Sequence, residues 1–445
     1  EQAVDQPPAL DAMRDAAAPS DVEVMEVAYS DGRRLLLPLR RIDQIQRYSG
    51  IEGVAPRLDR LGGGSWTRTK EKVKRSMQKL AGDLVRLYAE RQLATAPAMA
   101  EDSDLMAQFE AAFDFEETED QLTVINAIKE DLIKRRPMDR LLCGDVGFGK
   151  TEVAMRAAFK VVDSGHQVAV LAPTTILADQ HLETFTARFA DHPIRIEMIS
   201  RRRSPGEVCE IRQALADGKV DILIGTHRLL SRDISIPNLG LLIVDEEQRF
   251  GVAQKERLRE LKKNVHVLAM SATPVPRTLQ LSLAGVRDLS VIETPPRDRM
   301  AVETAIVPFT PELLREAIEF ERERQGQIYF VYNRVEGIEQ FPDYLQVVVP
   351  DLRLTVGHGQ LDENELASRM YAFKNKEYDL LLATTIIENG IDIPNVNTII
   401  VHRAERFGLA QLYQLRGRVG RSNQLAYCYL VVPADRVLTE EASQR

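Results

Sequence analysis

Leu141-Leu142-Cys143-Gly144-Asp145-Val146-Gly147-Phe148-Gly149-Lys150-Thr151 is the stretch on which the fold turns. An apolar strand runs directly into a glycine-rich turn, and residues 152–159 continue as a helix. Residues 144–151 fit the phosphate-loop pattern G-x-x-x-x-G-K-[ST] in the strand–turn–helix setting that the pattern requires. The chemistry follows from the residue types. Glycines let backbone N–H groups close around phosphate oxygens, and the positive end of the helix adds to the attraction. Lys150 reaches the β- and γ-phosphates, and the Thr151 hydroxyl takes a Mg²⁺ position. ATP with Mg²⁺ is therefore the expected cofactor, and Gly144, Asp145, Val146, Gly147, Phe148 and Gly149 form the expected cradle.

A phosphate loop needs an acidic partner at the end of a neighbouring strand. Leu241-Leu242-Ile243-Val244 supplies the strand, and Asp245-Glu246-Glu247-Gln248 follows it. Asp245 is suited to hold Mg²⁺, usually through water, and Glu246 to polarise the attacking water. An acidic triplet alone is a common helix start; behind an apolar strand and paired with a phosphate loop, it is a catalytic candidate. Phosphoryl transfer also needs positive charge on the γ-phosphate. Gln414-Leu415-Arg416-Gly417-Arg418-Val419-Gly420-Arg421 interleaves arginines with glycines. Arg418 and Arg421 are three apart, so on a helix they face the same way. With Gln414 they make a candidate catalytic run, in which the two arginines are fingers delivered across a cleft. Hydrolysis would then require closure of two domains.

At 445 residues the chain exceeds a single hydrophobic core, so two or three domains are expected. A hydrophobic share of 44% and a charged share of 28% are those of a soluble globular protein. No apolar run reaches the roughly 18 residues of a membrane span, so no membrane partner is expected. The three cysteines, Cys143, Cys209 and Cys428, are far apart and lack metal-ligand spacing. That usage fits a reducing, cytoplasmic compartment. A net charge of -9 argues against coating DNA by bulk charge, but not against gripping phosphates in a local groove.

Residues 1–20 are rich in alanine, proline and aspartate and read as a disordered tail. Residues 22–28 alternate apolar with acidic positions, Ser30-Asp31-Gly32 supplies a turn, and 33–39 reads as a return strand. After Gly62-Gly63-Gly64, residues 67–92 form a helical pattern with eight basic and three acidic residues, a net charge of +5. A solvated face explains such a helix; so does a basic linker lying near nucleic acid or a partner protein. Buried parallel strands are expected at 140–143, 167–172, 194–199, 222–225, 241–244 and 265–270. Pro295-Pro296 marks a linker. A second series follows at 327–332, 352–356, 380–383, 398–401 and 427–432. The fold class is α/β, with two units of similar architecture, and the phosphate loop lies in the first.

Taken together, GDVGFGKT (144–151), APTTILADQH (172–181), GTHRLL (225–230), DEEQRFG (245–251), SATPVPRTL (271–279), TTIIENGIDIPN (384–395) and QLYQLRGRVGRS (411–422) resemble the core of superfamily 2 helicases. The wording resembles in particular the bacterial transcription-repair coupling factors, from about Val22 onward. The resemblance implies two tandem RecA-like parallel-sheet domains, at 101–296 and 297–445. It implies a partial RNA-polymerase-interacting β domain at 21–50 and a linker with the basic helix at 51–100. It implies an ATP-dependent translocase on double-stranded DNA that displaces stalled RNA polymerase. A nucleotide excision repair protein is a further implied partner, through a region that these residues do not include.

By the same resemblance Phe113, Phe115 and Gln121 form an adenine-reading segment, with Glu119 where a proline is usual. Ser271 and Thr273 link nucleotide state to closure, and Gly390 and Asp392 approach the nucleotide from the second domain. Thr174, Thr226, His227, Arg228, Asn333 and Thr384 line the nucleic-acid track. Hydroxyls and amides beside phosphates position a backbone without reading sequence. The chain also ends just beyond the arginine run, where the family places a helical hairpin, so a partial chain is expected. Two other readings share these motifs: a fork-regressing DNA helicase, and an RNA-polymerase adaptor whose ATPase core serves as scaffold.

Overall fold

The computed structural model describes residues 24–28, 33–38, eight positions between 70 and 93, and then 94–200, 203–261, 264–272, 287–296, 301–334, 337–384, 386–387, 392–420 and 424–433. The chain divides into two compact units, Glu1–Arg86 and Leu87–Arg445. In the first unit β1 (Val24–Ala28) and β2 (Arg34–Pro38) pair antiparallel, Ala28 opposite Arg34. Met25 and Val27 are half-buried while Val24 and Glu26 are exposed, the alternation of a one-sided strand. The turn at 30–32, the glycine loop at 62–64 and the 1–20 tail lie outside the described residues. The basic segment is helical at each described position from 70 to 93.

The second unit holds two all-parallel sheets. The first carries α1 (Asp104–Ala111), α2 (Glu119–Leu132), β3 (Asp139–Gly144), α3 (Lys150–Asp163), β4 (Gln167–Leu171), α4 (Thr175–Arg188), β5 (Ile196–Ile199), α5 (Pro205–Ala216), β6 (Ile222–Gly225), β7 (Leu239–Asp245), α6 (Val252–Leu261), β8 (His266–Ser271) and β9 (Asp288–Ile292). Its strand order is β5-β6-β4-β7-β8-β3-β9. The second carries β10 (Val302–Pro308), α7 (Pro311–Glu323), β11 (Gln327–Val331), α8 (Phe341–Val348), β12 (Leu354–Gly357), α9 (Glu363–Lys374), β13 (Leu380–Ala383), β14 (Val396–His402), α10 (Leu409–Arg416) and β15 (Ala426–Val432). Its order is β10-β15-β14-β11-β13-β12.

Both faces of each sheet are covered, which is why the strands are apolar throughout. In the first sheet Val168, Val170, Ile243 and Leu268 face one core, and Ala169, Leu171, Leu242 and Val267 the other. In the second, Tyr329 and Val331 oppose Ile328 and Phe330 in the same way. Cys143 and Cys428 are buried strand thiols; burial pushes Cys428 up to about 12. Among the described residues no helix is long and apolar enough to cross a membrane.

Two strands, β9 and β10, were not expected from sequence. β9 is an edge strand with polar Asp288 and Ser290, and β10 is exposed along most of its length, so neither shows an unbroken apolar run. The arginine run also differs from expectation. The helix stops at Arg416, with Gly417 as its C-cap, so Arg418 sits in the following turn rather than on a helix with Arg421. Gly417 and Gly420 are poor helix formers, which ends the helix before the second arginine.

Candidate functional site

β3 and β7 flank β8, and the register pairs Cys143 with Ser271 and Asp245 with Met270. Gly144, Ser271 and Asp245 therefore end at one carboxyl edge, where open parallel sheets bind ligands. From β3 the chain turns through Gly147 (φ 82°) and Gly149 (φ 80°), a left-handed conformation that favours glycine, into α3. A Cβ on Gly149 would stand 2.4 Å from Gln121 Nε2. The Gln121 amide donates to the Phe148 carbonyl at 3.0 Å while its Oε1 accepts from the Thr118 amide at 2.9 Å. Gln121 thus braces the back of the loop from the first turn of α2.

Lys150 Nζ donates to the carbonyls of Gly144 (2.7 Å) and Asp145 (2.8 Å), which holds the ammonium over the loop. Thr151 follows on the first turn of α3, half-buried. Loop glycines, helix N-terminus, ammonium and hydroxyl fit a nucleotide's phosphates. Beside the loop, a cavity of about 360 Å³ is lined by Gly144, Asp145, Phe148 and Ala272 among others.

Glu246 sits in the left-handed region (φ 48°, ψ 53°) and is buried. Its amide donates to the Met270 carbonyl at 2.9 Å, and its Oε1 accepts from the Ala272 amide at 3.2 Å. Gln248 and Ser271 also hydrogen-bond its Oε2, Ser271 at 3.4 Å. The end of β8 therefore holds the carboxylate in place. Behind it, the Arg287 guanidinium pairs with Glu247 (2.8 Å) and Asp139 (2.9 Å). Asp245 Oδ2 lies 3.0 Å from His181 Nε2, on α4.

The second sheet's arginine run reaches the loop: a Cβ on Gly417 would stand 3.2 Å from Val146 Cβ. Gln414 lies on α10, and Arg418 is buried just beyond its end. Arg421, Gly390 and Thr273 lie outside the described residues. The Asp392 backbone pairs with the Gln180 amide of α4, accepting at 2.9 Å and donating at 3.2 Å.

Phe113 and Phe115 meet edge to face at 5.5 Å, and the Arg156 guanidinium lies 5.1 Å from the Phe113 ring centre. Phe115 is exposed and Glu119 points to solvent. Thr174, Thr226, Asn333 and Thr384 each follow a strand at a carboxyl edge. Thr174 caps α4, its hydroxyl accepting from Leu177 at 3.3 Å, and Thr226 and Thr384 are buried. His227 and Arg228 are half-buried. Arg228 forms a bidentate pair with Asp233 (2.8 and 2.7 Å), which raises its pKa and holds the Asp233 carboxyl below the usual range. Sequence reasoning did not single out Gln180, His181 or Arg287. Gln180 and His181 closed a quoted motif, but a polar pair inside an amphipathic helix carries no spacing signal.

Residues 118–281 match the DEAD/DEAH box helicase family and 310–423 the helicase conserved C-terminal domain. The transcription-repair-coupling factor of Bacillus subtilis (strain 168) is 54% identical over 423 residues, 95% of this chain and 36% of that protein. That of Staphylococcus aureus (strain USA300) is 51% identical over the same shares. A structure of RecG bound to a three-way DNA junction superposes with a TM-score of 0.69 at 34% identity, over 92% of this chain and 55% of that one. The chain thus spans about a third of the length of its curated relatives. Phosphate loop, acidic strand end, arginine run and two RecA-like sheets agree with these matches: the chain belongs to the superfamily 2 helicases, in the branch that includes the transcription-repair-coupling factors.

Proposed function

We propose that this chain is the motor of an ATP-driven translocase on double-stranded DNA, which in the full protein displaces stalled RNA polymerase during transcription-coupled repair. The observation that carries the reading is the approach of Gly417 to Val146, which places the arginine run of one sheet against the phosphate loop of the other. A nucleotide between them is contacted from both sides, so its hydrolysis is tied to their relative position.

The roles follow from the chemistry. Lys150 exchanges the Gly144 and Asp145 carbonyls for phosphate oxygens. Thr151 and Asp245 would hold Mg²⁺, which would supply positive charge against the phosphates. Glu246 orients the attacking water, and Arg418, with Arg421, answers charge on the γ-phosphate. Phe113 and Phe115 flank the base. Thr174, Thr226, His227, Arg228, Asn333 and Thr384 follow a DNA backbone without reading bases; Arg228 first releases Asp233. β1, β2 and the basic helix would contribute to polymerase contact in the full protein.

The test is the ATPase rate of the full chain with no nucleic acid, duplex DNA, single-stranded DNA and RNA. Duplex DNA should stimulate most; equal stimulation by RNA overturns the reading. The structural likeness to RecG favours a second reading, fork regression. Stronger stimulation by branched than by linear duplex would select it.

A further inference from the structure

Helix α4 has two working faces. Leu177, Ala178, His181 and Phe185 are buried in the first body, the part built on the first sheet as the second body is on the second, at the four-residue spacing of one helix face. On the opposite side Ile176 packs on the core of the second sheet, Thr175 hydrogen-bonds Glu363, and Glu183 pairs with Lys374. Gln180 lies on that side too, its amide matched to both backbone groups of Asp392. Consecutive residues of one rigid helix thus touch the acidic strand end and the second body. Thr174, at the same helix's cap, belongs to the proposed nucleic-acid track.

We propose that α4 couples the second body to the metal site, with His181 as a positioning residue for the Asp245 carboxylate and Gln180 as the link. An ionised carboxylate only accepts hydrogen bonds, so His181 Nε2 is the donor in the 3.0 Å contact. The ring is itself fixed, buried and edge-on to Phe185 at 6.2 Å. It therefore sets which way Asp245 Oδ2 points. A DNA-dependent displacement of the second body would reach α4 through the Asp392–Gln180 pair, and His181 would carry it to the carboxylate. A ligand is oriented by the groups that hydrogen-bond it, and losing such a partner costs roughly 10–100-fold in metal affinity.

This rests on the reading of Asp245 as a Mg²⁺ ligand, and the experiment separates the two. Binding of a fluorescent ADP analogue to the full chain is followed as Mg²⁺ is titrated, with and without duplex DNA. Asp245→Asn should remove the Mg²⁺ dependence. His181→Ala should raise the Mg²⁺ midpoint about tenfold while leaving metal-free nucleotide binding intact. His181→Gln, which keeps a donor near the Nε2 position, should recover most of the loss. Duplex DNA should lower the midpoint of the parent chain, and Gln180→Ala should abolish that shift. If Asp245→Asn moves the midpoint and neither His181 variant does, positioning is overturned while the metal reading stands. If Asp245→Asn changes nothing, both fall. A midpoint that DNA leaves unmoved, or moves equally in Gln180→Ala, overturns the link.

Discussion

Glu246 combines a left-handed backbone, a buried carboxylate and hydrogen bonds from the end of the neighbouring strand. A non-glycine residue in that region costs about 1–3 kcal/mol, which a structure retains where the side chain's aim matters. Glu246→Gln keeps the shape and removes the base. It should bind ATP normally and hydrolyse it roughly 10²–10⁴ times more slowly. Lys150→Ala should instead weaken nucleotide binding. Near-normal turnover in Glu246→Gln would remove the assignment. His402 makes a different prediction. It sits among Phe309, Phe330, Tyr332 and Phe341, and burial, with Arg403 and Arg406 nearby, lowers its pKa to about 4. The unfolded chain takes up a proton near pH 6.5 that the folded chain refuses, so stability is full above that pH and falls below it. At pH 5 the loss is about 2 kcal/mol. His402→Phe should flatten the decline in denaturant midpoint between pH 7 and pH 5; an equal decline in both proteins would rule the residue out. Lys150 and Asp245 could be singled out as candidates because one belongs to a motif of fixed spacing and the other closes an apolar strand. His181 could not, since its partner is 64 residues away in sequence.

At the scale of elements, central strands were legible almost to the residue: 222–225 and 380–383 coincide with β6 and β13. They are buried on both faces, and the apolar run records it. Two edge strands escaped, β9 and β10, because they need fewer apolar residues, whereas the edges β5 and β12 were read at 194–199 and 352–356. A repeated turn also went unread. Arg249-Phe250-Gly251 and Arg406-Phe407-Gly408 close the same device in both bodies: a strand, a left-handed residue (Glu246 or Arg403), a short 3₁₀ turn, then phenylalanine. The duplication is visible in sequence as a shared tripeptide, too short to stand out without the backbone. The end of β9 is fastened by a side chain, while Arg140 holds Ser290 within the strand at 2.8 Å. Asp120, on the first turn of α2, accepts from the amides of Glu293 (3.0 Å) and Thr294 (2.8 Å), directly after the strand. Hydrogen bonds from Thr294 and Glu293 hold its carboxyl below the usual range. Asp120→Ala should speed amide exchange at 288–294 and leave the other strands of the sheet protected. Uniform exchange across the sheet would mean that β9 opens only with the whole body.

At the scale of the molecule, contact with DNA and use of ATP should separate by experiment. The track proposed along both carboxyl edges offers hydroxyls, amides and a few cations, so binding should ignore sequence and weaken steeply with salt. A salt-insensitive or sequence-selective isotherm would contradict it. The shared nucleotide site makes a sharper prediction through a residue without a side chain. Gly417 has φ -68°, which any residue adopts, so replacing it adds no backbone strain. A Cβ there would nonetheless stand 3.2 Å from Val146 Cβ and 3.3 Å from Cγ2. Gly417→Val therefore works as a wedge between the arginine run and the phosphate loop, leaving the first body's own phosphate contacts in place. Nucleotide affinity should change little, whereas DNA-stimulated hydrolysis should fall by at least about tenfold, the effect of holding Arg418 a fraction of an ångström too far away. Because the clash is with one side chain, Val146→Ala in the same chain should restore part of the rate. If Gly417→Val hydrolyses ATP as fast as the parent chain, the arginine run does not act from that position. If Val146→Ala gives no rescue, the wedge is not what slows the reaction.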